Sequence, residues 1–88
     1  MELKYNGQFN RDIAHRNREL SDEIRYAILN VKKASTISQI QNLVKLKKYK
    51  VYYRIKVTDN YRIGIIIRKN TVWFVRFGHR STFYKYFP

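Results

Sequence analysis

The sequence predicts a small α+β protein with a short N-terminal strand, two packed helices and then a three-stranded antiparallel meander. Two observations carry this prediction. Apolar residues recur at helical spacing in the first half of the chain, and from residue 51 onward they alternate as they do in β-strands. The chain has 88 residues, which suits a single domain, residues 1–88, with a modest core.

The first residues of the chain are predicted to form a strand and then a short helix. Residues 2–9, ELKYNGQF, favour a strand that Gly7 weakens. Residues 10–17, NRDIAHRN, favour a helix, because Asn10 is a suitable N-cap and Asp12 lies in the first turn.

The clearest helical segment is residues 21–33, SDEIRYAILNVKK. Ser21 is a suitable N-cap, and Lys32 and Lys33 lie at the end that favours positive charge. One face of this helix is apolar and consists of Ile24, Ala27, Ile28 and Val31. Residues 35–43, STISQIQNL, predict one or two further helical turns.

Two alternating segments, residues 51–57 and 61–67, predict a β-hairpin whose loop length decides which side chains share a face. A two-residue loop would place charged residues opposite apolar ones. A three-residue loop, Thr58–Asn60, keeps one face apolar and is therefore favoured. Its cross-strand pairs are Val57 with Tyr61, Ile55 with Ile63, and Tyr53 with Ile65.

The favoured loop makes predictions about the backbone and about the opposite face. Asn60, at the end of the loop, would adopt the left-handed conformation that such loops require. Arg54, Lys56 and Arg62 would project from one face, with Lys56 opposite Arg62. Gly64 would leave space beside Arg54 on that face.

A third strand is predicted at residues 71–79, TVWFVRFGH, with an orientation that the sequence leaves open because both faces are rather apolar. A two-residue turn at Lys69–Asn70 would place Trp73 and His79 on the face of the basic residues. A three-residue turn would place Arg76 there instead. In both cases the strand end brings His79 and Arg80 close to Arg62. We expect Trp73 to belong to the core rather than to a base-stacking surface.

Positive charge is concentrated in the second part of the chain. The whole sequence has 19 Lys and Arg against six Asp and Glu, a net charge of +13. Residues 1–33 carry a net charge of +2 and residues 34–88 carry +11, with Asp59 as the only acid of the second segment. This imbalance favours a polyanionic partner, nucleic acid first and an acidic protein second, over a merely soluble basic surface. The candidate RNA- or phosphate-binding residues are Lys47, Lys48, Lys50, Arg54 and Arg76.

The composition also limits the possible chemistry. The chain has no cysteine, only His15 and His79 as imidazole ligands, and too few acids for a magnesium-dependent nuclease. We therefore expect no metal site and no small-molecule cofactor. RNA cleavage remains possible, because the substrate supplies its own 2′-hydroxyl nucleophile. No apolar run approaches the roughly 20 residues of a membrane span, so we expect a cytoplasmic protein with no membrane partner.

The segments YYRIKVTDNYRIGI and VRFGHRSTFYKYFP resemble the C-terminal half of the RelE/ParE toxin superfamily of bacterial toxin–antitoxin systems. Residues 21–33 and the LKKYK segment, residues 46–50, also fit this pattern. The resemblance implies a RelE-like fold. RelE-type members are ribosome-dependent endoribonucleases that cut mRNA with a basic, metal-free site, whereas ParE-type members poison DNA gyrase. A passive basic RNA- or partner-binding module is the third alternative.

The resemblance also implies partners and site residues. The partners would be mRNA, the ribosome and a cognate antitoxin, whose acidic segment would fold over the cationic face. By resemblance, the catalytic candidates are Lys56, Arg62, Arg80 and Tyr84, to which the chain's own chemistry adds His79. Arg62 and Arg80 would hold the scissile phosphate, and Tyr84 would stack on or orient a base. Lys56, crowded by Arg54 and Arg62, would serve as the general base and His79 as the proton donor to the leaving oxygen, although the sequence leaves the two roles exchangeable.

Overall fold

The computed structural model describes residues 1–88 and contains five strands, three α-helices and one 3-10 turn. In chain order the elements are β1 (Glu2–Tyr5), α1 (Gly7–Ile13), α2 (Arg18–Lys33), the 3-10 turn (Ile37–Gln39), β2 (Leu43–Lys45), β3 (Tyr52–Thr58), β4 (Tyr61–Arg68), β5 (Thr71–His79) and α3 (Arg80–Tyr86). They form one sheet in the order β1-β5-β4-β3-β2, in which only β1 and β5 are parallel.

This architecture confirms the predicted α+β class, including the N-terminal strand, the two helices and the antiparallel meander. The predicted helical extension after α2 is present as the single 3-10 turn. Two elements were not predicted: the short edge strand β2 and the C-terminal helix α3. No helix is both long enough and apolar enough to cross a membrane.

The first helix begins earlier than predicted. The side chain of Asn6 accepts a hydrogen bond from the Phe9 N–H at 2.8 Å, so Asn6 and not Asn10 is the N-cap of α1. The predicted strand 2–9 is therefore wrong beyond Tyr5. Phe9 becomes completely buried against the sheet, which outweighs the strand preference of the local sequence.

The second helix also begins earlier than predicted. Asn17 accepts a hydrogen bond from the Leu20 N–H at 2.9 Å and caps a helix that starts at Arg18. Ser21, the predicted cap, lies inside the first turns of this helix. The end of α2 at Lys33 agrees with the prediction.

The core lies between the sheet and the first two helices. Both ends of the apolar face predicted for α2, Ile24 and Val31, are buried there. The same cluster contains the inward side chains of β3, β4 and β5, which alternate with outward ones as the sequence predicts. Its members are Phe9, Ile24, Val31, Ala34, Ile40, Ile55, Ile63, Ile65, Ile67, Val72, Phe74 and Phe77.

The β3–β4 hairpin has the predicted register along its length and a different arrangement at its tip. Its pairs include Tyr53 with Ile65, Ile55 with Ile63, Arg54 with Gly64, and Lys56 with Arg62. At the tip, Thr58 pairs with Tyr61, so the loop has two residues and the predicted pair of Val57 with Tyr61 is wrong. An irregularity between Lys56 and Thr58 absorbs the extra residue and preserves the apolar face. Asn60 does not have a positive φ, contrary to the prediction.

The β4–β5 hairpin combines both orientations that the sequence left open. Its turn has two residues, with Lys69 at a φ of 54°, and it places Trp73 opposite Ile66. A register shift next to Gly64 then leaves Val75 without a partner in β4. Beyond this bulge, each side chain of β5 points to the face of the sheet opposite to the one it would have occupied in a regular strand.

The bulge separates residues that a regular strand would have kept together. Arg76 pairs with Gly64 and shares the face of the basic residues, whereas His79 pairs with Tyr61 and lies toward the opposite face. The prediction that Trp73 belongs to the core is wrong, because 37% of its surface is exposed and the Lys4 ammonium lies 5.3 Å from its ring centroid.

The chain ends in α3, which packs on the sheet face opposite α1 and α2. Phe87, which follows α3, is 1% exposed and lies against Gly64. A Cβ atom on Gly64 would approach three Phe87 ring atoms to 2.7 Å. The space that Gly64 provides is therefore filled by the C-terminus, which partly covers the face predicted to be cationic.

Candidate functional site

Three basic side chains and one acidic side chain gather at the end of the β3–β4 hairpin, and we call this group the tip cluster: Lys56, Asp59, Arg62 and Arg80. Cross-strand pairing places Lys56 opposite Arg62. The Arg80 N–H donates a hydrogen bond of 2.7 Å to the Asn60 carbonyl, which attaches the start of α3 to the hairpin loop. The structure thus brings together three of the five predicted catalytic residues.

Asp59 is the counterion of the tip cluster. Its Oδ1 lies 3.1 Å from the Lys56 Nζ. This hydrogen bond and the charge of Lys56 hold the pKa of Asp59 below its ordinary value, and the charges of Arg80 and Arg62 add to the effect. The Asp59 side chain is 90% exposed, so an incoming anion can displace it without unfolding the hairpin.

Arg62 anchors the hairpin loop through one nitrogen of its guanidinium group. Its Nη1 donates to the carbonyl oxygens of Thr58, Asp59 and Tyr61 at 2.9, 3.1 and 3.0 Å. No other nitrogen of the group makes a hydrogen bond within the protein. The guanidinium is therefore held in place while the donors on Nε and Nη2 remain available to an anion.

His79 caps α3 and lies close to the tip cluster in sequence but toward the other side of the sheet. Its Nδ1 accepts a hydrogen bond of 3.1 Å from the Ser81 N–H, and the Ser81 Oγ lies 2.8 Å from the same nitrogen. Its ring meets that of Tyr61 edge-on at 5.3 Å. In the neutral tautomer that accepts from the Ser81 N–H, Nε2 carries the proton and is free to donate it to a ligand.

The predicted aromatic residue Tyr84 is exposed on α3, with its ring edge-on against that of Phe83 at 5.0 Å. The sequence reasoning missed Tyr86, which lines the same cleft as His79. The Tyr86 ring centroid lies 5.3 Å from the Arg76 guanidinium. The run of aromatic residues at the C-terminus signals such a surface but does not show which member faces the cleft.

The remaining predicted binding residues do not join the tip cluster. Arg54 is half-buried in the middle of β3, opposite Gly64. Arg76 forms an ion pair of 3.1 Å with Asp12 of α1. The exposed Lys47, Lys48 and Lys50 form what we call the lysine loop, between β2 and β3. Since β3 has seven residues, this loop lies about 20 Å from the hairpin tip.

No group of three or more His, Cys, Asp and Glu side chains lies together in the molecule. The donors available at the tip cluster are the ammonium of Lys56 and the guanidinium groups of Arg62 and Arg80, together with the nearby imidazole. Such donors bind phosphate oxygens and can transfer protons. The arrangement is therefore able to bind and polarise a phosphodiester.

Comparison with known proteins places this chain in a class of toxins. No family model matches the sequence. The chain is 33% identical over 89 residues to Toxin RelE3 of Methanocaldococcus jannaschii, a match that covers 100% of both proteins. At this identity over its full length, the chain belongs to the RelE/ParE toxin superfamily.

Solved structures agree with this assignment. A chain of the RelB–RelE antitoxin–toxin complex from Methanococcus jannaschii superimposes with a TM-score of 0.79 at 30% identity, covering 97% of this chain and 99% of that one. A variant of YafQ from E. coli superimposes with a TM-score of 0.71 at 16% identity, covering 94% of this chain and 97% of that one. At 16% identity, the similarity to YafQ shows a shared fold only.

Proposed function

We propose that this protein is the toxin of a type II toxin–antitoxin system and that it cuts ribosome-bound mRNA without a metal ion, thereby stopping translation. The tip cluster is the observation that carries the proposal, because Lys56, Arg62 and Arg80 converge where a phosphodiester can bind. Membership of the RelE/ParE superfamily and the full-length similarity to Toxin RelE3 support it.

The proposed reaction uses the RNA's own nucleophile. A base removes the 2′-hydroxyl proton, the 2′-oxygen attacks the adjacent phosphorus, and the bond to the 5′-oxygen breaks as that oxygen receives a proton. The products are a 2′,3′-cyclic phosphate and a 5′-hydroxyl end. Arg80 and the free donors of Arg62 would stabilise the negative charge that develops on the phosphate oxygens.

The contacts of Lys56 and His79 support different roles for them. Lys56 forms an ion pair with Asp59, and this contact supports Lys56 as a cationic ligand of the phosphate rather than as the base. His79 can act as the base through Nε2 when its Nδ1–H donates to the Ser81 Oγ, which lies within 2.8 Å. Ser81 would thus provide a hydrogen-bond partner for Nδ1 of His79 in either tautomer: its N–H as a donor in one and its Oγ as an acceptor in the other.

A cognate antitoxin is the proposed protein partner. The solved relative in complex with an antitoxin supports this partner class. Residues 34–88 carry a net charge of +11, so an acidic antitoxin segment would find many cations and only the carboxylate of Asp59 to repel it. Binding should weaken steeply as salt concentration rises. An affinity that does not depend on salt would contradict this electrostatic account.

Two linked experiments test the proposed function. In the first, the chain is expressed in bacteria under tight control while protein and DNA synthesis are followed separately. Early arrest of translation is the expected result. Early arrest of replication would instead indicate a ParE-like gyrase inhibitor, and normal synthesis of both would indicate a passive binding module.

In the second experiment, purified protein acts on ribosome-bound mRNA, and the new RNA ends are analysed. We expect cleavage that needs no metal beyond what the ribosome itself requires, and we expect Arg80→Ala to abolish most of it. Arg68→Ala is the matched control, since Arg68 is an exposed arginine at the other end of β4. Failure of the wild-type protein to cut mRNA would overturn the nuclease proposal.

A further inference from the structure

A second basic site lies behind the tip cluster, in a cleft between α1, the end of β5 and α3. The cleft has a volume of about 290 Å³. This is near the lower end of the range of about 300–1,000 Å³ for ligand pockets, so it has room for one small ligand. Residues that bear on its chemistry are Asp12, Arg16, Tyr61, Arg76, His79 and Tyr86.

Arg16 is the cation of this cleft that has no counterion. Its guanidinium carbon lies 5.1 Å from the ring centroid of Phe77 and 5.7 Å from that of Tyr61, two rings that stack on each other. Its Nε donates to the Asp12 backbone carbonyl at 2.9 Å. These contacts hold the guanidinium in place while its two terminal nitrogens keep their donors for a ligand.

The one carboxylate of the cleft is occupied by other partners. The Asp12 side chain is 10% exposed and forms its ion pair with the Nε of Arg76. The same oxygen accepts a hydrogen bond of 3.0 Å from the Phe77 N–H at the edge of β5. Because the charges of Asp12 and Arg76 compensate each other, Arg16 leaves the cleft with an excess positive charge.

Planar and donor groups complete the walls. Tyr86 is 63% exposed and presents its ring at the rim. His79 also lines the cleft, and its Nε2 is not used by the cap of α3. A fixed guanidinium and an accessible aromatic ring together suit a ligand that combines a phosphate with a planar base.

We propose that this cleft binds a single nucleotide of the RNA substrate, next to the scissile phosphate, with Arg16 holding its phosphate and Tyr86 contacting its base. The proposal rests on the proposed function. His79 in the cleft and Arg80 in the tip cluster are consecutive residues, about 3.8 Å apart at their Cα atoms. RNA bound at the tip cluster can therefore cross the junction of β5 and α3 directly into the cleft.

The test is a titration of the purified full-length protein with adenosine 3′-monophosphate, without ribosomes, followed by calorimetry and by NMR of the His79 and Arg16 side chains. We expect Arg16→Gln to weaken binding about tenfold or more, because it removes an uncompensated charge inside the site. Arg16→Lys should restore only part of the affinity, since an ammonium lacks the planar fork. The matched control is Arg25→Gln, which removes an exposed arginine on α2 and should change binding less than twofold.

Three results would overturn the proposal. The wild-type protein does not bind the nucleotide, Arg16→Gln and Arg25→Gln weaken nucleotide binding equally, or Arg16→Gln weakens the binding of the antitoxin but not that of the nucleotide. Melting curves show whether Arg16→Gln remains folded, and Arg16→Lys provides the second variant if it does not. The titration contains no ribosome, so it can fail while mRNA cleavage persists. Nucleotide binding with no cleavage would sink the nuclease proposal but leave the cleft as a nucleotide site.

Discussion

The tip cluster and the lysine loop lie at opposite ends of β3, carry the same sign of charge and differ in how that charge is held. In the tip cluster, Lys56 is paired with Asp59, Arg62 is bonded to three carbonyl groups, and Arg80 begins a helix attached to the hairpin. In the lysine loop the three lysine side chains are exposed and form no ion pair or hydrogen bond.

This difference separates two kinds of electrostatic contribution. Charges that are fixed before the substrate arrives can stabilise a transition state, because no reorganisation is needed during the reaction. Charges on mobile side chains attract RNA from a distance and favour its ground state and transition state equally. We therefore expect substitutions in the tip cluster to change the rate of cleavage, and substitutions in the lysine loop to change affinity and its salt dependence.

The largest contrast should come from the arginines of the tip cluster. Arg80→Ala and Arg62→Ala should each cost about 2–4 kcal/mol of transition-state stabilisation, a rate loss of roughly 30- to 1,000-fold. Single-turnover cleavage of ribosome-bound mRNA measures this loss. Arg62→Lys keeps the positive charge but removes the planar fork, so it shows whether the charge alone supports cleavage. Wild-type rates for both alanine variants would remove the tip cluster from the reaction.

His79→Gln should slow cleavage about 100-fold or more, because glutamine approximates the shape of the imidazole but cannot transfer a proton. The measurement is the pH–rate profile, in which one limb should disappear. Ser81→Ala is the companion variant and should lower the rate less, since it removes the hydroxyl partner of Nδ1 and leaves the backbone N–H. An unchanged profile for His79→Gln would exclude this residue as the acid or base.

Gly64→Ala should detach the C-terminus from the sheet and destabilise the protein by about 1–3 kcal/mol, because the new methyl group would overlap the Phe87 ring. Denaturant unfolding measures this change. Gly78→Ala is the matched control, since a Cβ there would be 4.0 Å from Phe83, an ordinary contact distance. Equal stabilities of the two variants would show that Phe87 does not anchor α3.

Replacing the three lysines of the lysine loop by glutamine should weaken RNA binding a few-fold without changing the single-turnover rate. For each phosphate of single-stranded RNA that a variant no longer neutralises, the slope of log affinity against log salt should become shallower by about 0.7. Filter binding over a range of salt concentrations checks this expectation. A rate loss as large as that of Arg80→Ala would abolish the distinction between the two regions.

The smallest effect concerns Asp59 and pH. Its pKa in the folded protein is lowered from the ordinary value of 3.8, so its ion pair stabilises the fold at and above that pH. This contribution is lost as the pH falls through the lowered pKa and the carboxylate is protonated. Thermal melts of the wild-type protein and Asp59→Asn should therefore differ slightly at neutral pH and converge in strong acid. A difference that persists in strong acid would have another cause.

The sequence by itself determined the features that depend on local pattern and composition. The alternation in residues 51–67 placed Ile55 opposite Ile63 and Lys56 opposite Arg62, because a slip by one residue would have exposed the whole apolar face. The charge of residues 34–88 predicts a polyanionic partner, and this stays a prediction. Caps were less predictable, since Asn6, Asn10, Asn17 and Ser21 are all suitable residues and only Asn6 and Asn17 act as N-caps.

Only the tertiary structure decided how the site residues are distributed. The bulge at Val75, opposite Gly64, turns His79 away from the face of Arg62 and toward the cleft that contains Arg16. The position of α3 depends on Phe87 filling the space above Gly64, a contact between residues 23 positions apart. Such features arise because close packing of the whole molecule, rather than the preference of any one segment, selects the bulges and the position of the last helix.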